Sequence, residues 1–325
     1  MAKAIKIPQT LANADPKLWV VSVLRVRIDE VLAYAPAALD ESDIEGVHDM
    51  RVAVRRIRGA IKDFSQISDQ FPLRKVNRKF KVLADSLGQV RDRDVALEAL
   101  RDASDDAPDQ MVKDGLGQMV QEYRAQRIAA FDDLTEHLSA ISLDKLKNKT
   151  ERAFERSMCE RDLVGVDSIE DAGREIICDC VGRFNKYADC FYHPYAINEL
   201  HRLRIAGKHL RYAMELFSEA FGEKLTPFAV QVAEMQGHLG DLHDCDLWIE
   251  DMSTRLTEGK RKKRQMNPQR SAATWLLAEF TKKRTKAYRA ALGLWSQWET
   301  DDFVETLKST LDPAPVKSKV ARAAA

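Results

Sequence analysis

Apolar and basic side chains recur at helical spacing in residues 47–64. At about 100° per residue, each set falls on one arc of a helix surface, and the two arcs adjoin. The apolar set is Val47, Met50, Val54, Ile57, Ile61 and Phe64. The basic set is His48, Arg51, Arg55, Arg58 and Lys62. We therefore predict a helix with a core-facing side and a stripe of positive charge beside it.

The same pattern returns, without a gap, in residues 200–217. The basic positions His201, Arg204, Lys208 and Arg211 align with the first four of the earlier stripe. The apolar positions Leu200, Leu203, Leu210, Met214 and Phe217 align as well. The last basic position differs, since Glu215 stands opposite Lys62.

Both stripes place cations next to cations. A single charged stripe is usually a solvated helix face, but such faces alternate Glu and Lys, because like neighbours at i, i+4 repel by a few tenths of a kcal/mol. Two stripes of one sign instead favour a surface that an anion completes.

The other helices are predicted from caps and prolines. Asp15 and Pro16 start a first helix that runs to about Tyr34 and ends at Pro36. Ser42 or Asp43 caps the first stripe helix, which we expect to continue to about residue 68.

Further prolines set the later boundaries. A third helix is predicted from Pro72, and a fourth runs from Pro108 to about residue 138 after an acidic loop over residues 102–109. In the second half, Pro194 starts the second stripe helix and Pro268 starts a final helix that runs to about residue 298.

A Leu-Gly segment follows each stripe helix, at residues 87–95 and 239–247. We predict a turn at each glycine, followed after the first segment by a short helix over residues 95–101. Each segment carries two aspartates, which we expect to cap the next helix and to pair with arginines. They are Asp92, Asp94, Asp244 and Asp246.

The matched blocks occur in the same order in both halves, which indicates an internal duplication. The predicted fold is all-α, with two pseudo-symmetric antiparallel helical bundles at residues 15–141 and 142–312. Residues 1–14 are predicted to be a flexible N-terminus. The Pro-, Ala- and Lys-rich residues 313–325 are predicted to be a disordered tail.

Composition narrows the class of protein. The chain has 51 basic and 51 acidic side chains, which argues against a general polyanion-coating role. Its five cysteines form no CxxC pair, which fits reduced thiols in the cytoplasm. The N-terminus has no apolar signal core, and the longest apolar run, residues 18–24, is far shorter than the ~20 residues that span a bilayer. We expect a soluble cytoplasmic protein with no membrane partner.

The two His-x-x-Arg-x-x-x-Arg/Lys-x-x-Arg helices, each followed by a Leu-Gly segment with Asp-x-Asp, resemble the CHAD family, named for conserved histidines in an α-helical domain. The resemblance covers residues 15 to about 300. It implies two helical bundles packed around a basic groove or pore, inorganic polyphosphate as the ligand, and association with polyphosphate granules and their proteins. The chain lacks the Glu-x-Glu-x-Lys signature of the triphosphate-tunnel domain found in some members, so it resembles a stand-alone member.

We predict that polyphosphate contacts the two stripes, because guanidinium groups bind phosphate oxygens bidentately and lysine adds a point charge. The stripe residues are His48, Arg51, Arg55, Arg58, Lys62, His201, Arg204, Lys208 and Arg211. Further basic rows are predicted to contribute: Arg74, Arg78 and Lys81, then Arg124 and Arg127, and finally Lys282, Lys283 and Lys286. A bound polyanion would raise the pKa of both stripe histidines. A capping or core role is the alternative for these histidines.

Two other functions stay open. One is a metal-dependent phosphohydrolase, whose metal ligands could be His238, His243, Asp244 and Asp246 together with the two stripe histidines. No HxxxH or HExxH pattern occurs in the sequence, which argues against this function. The basic run at residues 260–264 and the tail could bind nucleic acid, although no stacking aromatics interleave the stripes. We therefore expect a binding module that is not an enzyme and needs no metal or cofactor.

Overall fold

The computed structural model describes residue 5 and residues 15–65, 73–141, 143–160, 167–258 and 267–312. These residues form α-helices and no strand. The helices are α1 Pro16–Ala38, α2 Ile44–Phe64, α3 Arg74–Asp105, α4 Gln110–Ile141, α5 Leu143–Glu160, α6 Ile169–Asn185, α7 Ile197–Phe221, α8 Thr226–Glu258, α9 Pro268–Thr300 and α10 Phe303–Leu311. Short 3-10 turns at Ala188–Tyr192 and Gly222–Leu225 flank α7. The all-α fold is thus confirmed.

Several helix starts are fixed by the predicted caps. The Asp15 carboxylate accepts a hydrogen bond from the Lys17 amide at 2.8 Å, and Pro16 occupies the first turn of α1. Asp43, rather than Ser42, caps α2 by accepting from the Gly46 amide at 3.0 Å. These side chains satisfy amides that the first helical turn leaves without an intrahelical partner.

Two proline-based boundaries were wrong. Pro36 lies inside the last turn of α1, which continues to Ala38. A proline there removes little of the helical hydrogen bonding, and the buried side chains of Ala35 and Ala38 hold that turn against the core. In the second half, Pro194 precedes the start of α7 at Ile197.

The predicted turns at the Leu-Gly segments were also wrong, because α3 and α8 run straight through them. Leu83, Leu87 and Val90 are fully buried at helical spacing, so packing offsets the ~1 kcal/mol cost of a glycine within a helix. A Cβ on Gly88 would lie 3.8 Å from the Arg51 guanidinium, an ordinary van der Waals distance, so the space at this position does not require a glycine.

The ends of the neighbouring elements differ less from the predictions. The acidic loop is shorter than predicted, because α3 extends to Asp105, and Asp109 caps α4 by accepting from the Val112 amide at 2.9 Å. The last helix, α10, was not predicted. The predicted start at Pro72, the basic run at residues 260–264 and the tail at residues 313–325 lie outside the described residues, as does the N-terminus except residue 5.

A continuous hydrophobic core joins the two predicted halves. Trp19 of α1 stacks on Phe217 of α7, with ring centroids 5.1 Å apart, and meets Phe64 of α2 edge-on at 5.6 Å. The stripe helices α2 and α7 therefore pack side by side around shared aromatic rings. Because this core crosses residue 142, the division into two units at that point stays a prediction.

A second core lies between α3, α4, α8 and α9. It includes Trp248, which stacks on Phe280 with ring centroids 4.9 Å apart. The α4 and α9 backbones meet at Gly115, where any Cβ would lie 2.0 Å from the Pro268 carbonyl oxygen. This packing holds α3 and α8 against the stripe helices. Within the described ranges, no helix is both long and apolar enough to cross a membrane.

Candidate functional site

The two stripes line one cavity. Arg51 and Arg55 of α2 face Arg204 and Lys208 of α7 across a volume of about 470 Å³, which we call the basic cavity. Its other walls come from α3, α4 and α8, and include Arg93, Asp92, Asp244, Asp251 and Trp248. Helical spacing explains this meeting, because each stripe adjoins the apolar side that packs α2 against α7.

Cations outnumber carboxylates in the basic cavity. Five basic side chains line it, against the three carboxylates of Asp92, Asp244 and Asp251. Asp251 is already paired with Arg255 at 3.0 Å and accepts from the Tyr123 hydroxyl at 2.9 Å. The cavity therefore keeps a positive charge while it is empty of anions.

The carboxylates nearest the stripes make long contacts. Asp92 lies 3.6 Å from the Arg51 guanidinium, and Asp244 lies 3.9 Å from that of Arg204. Both distances exceed the 2.7–2.9 Å of a charge-assisted hydrogen bond. These aspartates offset the stripe charge without occupying the arginine donors.

Two arginines bring unsatisfied donors to the site. The Nε atoms of Arg55 and Arg204 are buried and have no hydrogen-bond partner. Burial lowers the pKa of both guanidinium groups, and the charge of Arg51 lowers it further. An unpaired buried donor costs free energy, so a ligand with oxygen acceptors would be favoured here.

The pKa of Lys208 is strongly lowered in the basic cavity. Burial, followed by the charges of Arg204, Arg55 and Arg51, lowers its pKa from 10.5 to about 7. The ammonium is thus partly deprotonated near neutral pH in the free protein. A polyanion in the cavity would reverse the electrostatic part of this shift.

Two arginine clamps fix the walls of the cavity, one in each half. In the first half, the Arg127 guanidinium of α4 donates to Asp94 of α3 at 2.6 Å and to the Glu41 carbonyl oxygen at 3.4 Å. In the second half, Arg284 of α9 donates to Asp246 at 2.5 Å and to the Pro194 carbonyl oxygen at 2.8 Å.

The two clamps test the roles that were predicted for Asp94 and Asp246. Asp94 and Asp246 pair with arginines as predicted, but their helix-capping role was wrong, because both lie in the middle of long helices. Each clamp ties three segments together: the stretch before a stripe helix and the next two helices. This bonding leaves Arg127 with structural partners rather than a free guanidinium for the cavity.

Comparison with known proteins identifies the family of this chain. The CHAD domain matches residues 22–253. The chain belongs to the CHAD domain family. No curated protein sequence matches the chain.

Two solved structures share the CHAD fold. One is the CHAD domain from the plant Ricinus communis, with a TM-score of 0.70, 20% identity, and coverage of 90% of this chain and 95% of that one. The other is PptA from Streptomyces chartreusis, with a TM-score of 0.65, 14% identity, and coverage of 85% and 98%.

The two stripe histidines of this CHAD domain have different neighbours. Nδ1 of His201 lies 3.2 Å from Nδ1 of His243 on α8, whereas His48 lies near the charge of Arg91 at the equivalent place on α3. Burial and nearby cations lower the pKa of all three histidines, to about 4 for His243. The free protein therefore holds them neutral at pH 7.

Several predicted site residues of the CHAD domain lie outside the basic cavity. Arg58 donates to Asn77 on α3 at 3.4 Å, and Arg211 donates to Gln236 on α8 at the same distance. Lys62 contacts His209 at 3.1 Å near the other end of α2. The remaining predicted cations are exposed on α3, α4 and α9: Arg74, Arg78, Lys81, Arg124, Lys282, Lys283 and Lys286.

Some residues at or near the basic cavity could not be predicted from the sequence pattern. Arg93, Tyr123 and Trp248 line the basic cavity, and Arg284 forms a clamp, yet none belongs to a stripe. Their positions depend on how α8 and α9 pack, which spacing along the chain does not reveal. A repeat of the Arg127 position in the second half could have pointed to Arg284.

Of the residues considered for a metal site, His201 and His243 meet, with their Nδ1 atoms 3.2 Å apart, but the other candidates do not join them in a three-ligand group within the described residues. Asp246 is bound to Arg284, Asp244 lies beside Arg204, and His238 lies 3.8 Å from Glu234 on its own helix. Among the described side chains, one group with donor atoms within 4.8 Å is Glu45, His48 and Asp49 at the start of α2. That group combines one predicted histidine with two carboxylates that the sequence did not single out.

Proposed function

We propose that this CHAD domain binds inorganic polyphosphate in the basic cavity and does not hydrolyse it. The observation that carries the proposal is the meeting of Arg51, Arg55, Arg204 and Lys208 from two helices around one space. Burial and then the charges of the neighbouring arginines lower the pKa of Lys208, and a ligand of high negative charge would relieve the repulsion part of that shift.

The chemistry of polyphosphate fits this arrangement. Polyphosphate carries one negative charge per internal phosphate. Its phosphate oxygens accept hydrogen bonds from the planar guanidinium groups of arginine. Stripe residues recur about every helical turn, roughly 5.4 Å, so successive cations can contact successive parts of the chain. Binding of this kind releases counterions and weakens steeply as salt rises.

A binding role without turnover is supported by the state of the acid and base groups. The aspartates of the Leu-Gly segments lie against arginines, and two of them are held in the clamps. A hydrolase needs a free base or a metal-bound water in line with the phosphate. The groups around the basic cavity favour electrostatic recognition instead.

Association with polyphosphate granules extends the same proposal. A protein that holds long chains by charge would concentrate wherever those chains accumulate in the cytoplasm. Proteins associated with such granules are then its expected neighbours.

The test is a titration of the full chain with long-chain polyphosphate, short oligophosphate and duplex DNA at two salt concentrations. Released phosphate is measured in parallel, with and without Mg²⁺. We expect tight, salt-sensitive binding of the long chain and no release. Metal-dependent release would identify a phosphohydrolase, and a preference for DNA would identify a nucleic-acid-binding protein; either result contradicts the proposal.

A further inference from the structure

A second cavity adjoins the basic cavity. This side pocket has a volume of about 930 Å³ and lies between the start of α7, the middle of α8 and α9. His243 and Leu247 line both cavities, so the two spaces are neighbours at these side chains. The volume is in the range of pockets that enclose small molecules, about 300–1,000 Å³.

The two cavities differ in charge. The side pocket is lined by two carboxylates, Asp246 and Glu250, and by two guanidinium groups, Arg284 and Arg289, so its formal charges cancel. The basic cavity, by contrast, has more cations than carboxylates. A ligand that spans both would carry its negative charge at one end and an uncharged group at the other.

The side pocket offers stacking and hydrogen-bonding groups. The Tyr195 side chain is 86% exposed, and Ile197 and Leu247 present exposed apolar surface near it. Asn198 adds an amide that both donates and accepts, and Thr285 adds a hydroxyl. A flat heterocycle with polar edges satisfies both kinds of group, because aromatic side chains stack on any nucleobase.

We propose that the side pocket binds the base of a nucleoside triphosphate whose phosphates occupy the basic cavity. This inference rests on the proposed function, since the same cations must hold the phosphates. It adds a second ligand class, in which an uncharged aromatic group contributes to affinity beside the phosphate chain.

The test compares ATP, inorganic tripolyphosphate and adenosine by calorimetric titration of the full chain in Mg²⁺-free buffer. ATP carries no more negative charge than tripolyphosphate, so charge alone gives it no advantage. We expect ATP to bind at least about fivefold more tightly than tripolyphosphate, as stacking of one base implies. Adenosine alone should bind weakly.

Variants separate the two cavities. Tyr195→Ala with Asn198→Ala removes two exposed side chains of the side pocket and should lower ATP affinity to that of tripolyphosphate, while tripolyphosphate affinity stays unchanged. Tyr192→Ala is the matched control, because Tyr192 is exposed nearby but bonded to Glu299 outside the pocket.

The outcomes are distinct. If ATP binds no more tightly than tripolyphosphate, or if the double variant binds ATP normally, the side-pocket inference is wrong and the polyphosphate proposal stands. If neither tripolyphosphate nor long-chain polyphosphate binds, the proposed function fails as well.

Discussion

The first and second halves of the protein share a framework but differ in the groups they present to the basic cavity. Each half has a stripe, an aspartate near its second basic residue and a clamp, formed by Arg127 or Arg284. The first half supplies Arg51 and Arg55, which keep their charge throughout the physiological pH range.

The second half supplies groups that titrate. Lys208 has a pKa of about 7, and His243 stands where the first half has Arg91. The outer surfaces differ too, because α3 begins with the exposed cations Arg74 and Arg78, whereas the start of α8 carries no basic residue. The comparison shows one half with permanent arginine charge, whereas the other half combines the permanent charge of Arg204 with the pH-dependent charge of Lys208.

Breaking a clamp should have the largest effect on stability. Arg127→Ala leaves Asp94, whose side chain is 2% exposed, without its cation, and should lower the free energy of unfolding by about 3–5 kcal/mol in urea denaturation. Arg284→Ala should cost a similar amount if the halves are equivalent. The control Lys147→Ala breaks a more exposed pair with Asp29 and should leave the free energy of unfolding almost unchanged. Equal small losses in all three variants would contradict the clamp assignment.

Neutralising the exposed row of α3 tests the asymmetry of the outer surfaces. The triple variant Arg74→Gln, Arg78→Gln and Lys81→Gln should weaken binding of long-chain polyphosphate by about tenfold and reduce its salt dependence. Short oligophosphate, which fits within the basic cavity, should bind as before. If the triple variant binds long-chain polyphosphate with unchanged affinity, these three residues do not contact the ligand.

Replacing Lys208 should separate stability from binding. Lys208→Met removes a half-buried cation that three arginines repel, and should raise the free energy of unfolding by about 1 kcal/mol. The same variant should bind polyphosphate more weakly, because one contact cation is lost. Thermal denaturation and titration of one preparation measure both changes, and a loss of stability would argue against repulsion at this position.

The dependence of binding on pH is the smallest expected effect. The lowered pKa of Lys208 means that the free protein gains its charge as pH falls from about 8 to about 6, so polyphosphate affinity should rise about threefold over that interval. Lys208→Arg should flatten this rise, since arginine stays charged. The difference between the two pH profiles isolates Lys208 from the titration of the ligand itself.

The sequence carried the main features of this site because they depend on local spacing. The stripes at His48 and His201 needed only the helical period, and the pairing of aspartates with arginines followed from opposite charges. The turns predicted at Gly88 and Gly240 do not form, because burial of Leu87 and Val90 in α3, and of Leu239 and Leu242 in α8, outweighs the local preference of glycine. The partners of Arg284 and the place of Tyr195 depend on tertiary packing, which has no local signal.

The central claim is tested most directly by reversing charge in the basic cavity. Arg51→Glu with Arg204→Glu should weaken long-chain polyphosphate binding by about 100-fold or more, since each arginine contributes a charge-assisted contact. The control Lys145→Glu with Lys149→Glu makes the same change in net charge on exposed positions of α5. Circular dichroism should show unchanged helix content in both. Normal binding by the Arg51 and Arg204 variant, or equal losses in variant and control, would contradict the account.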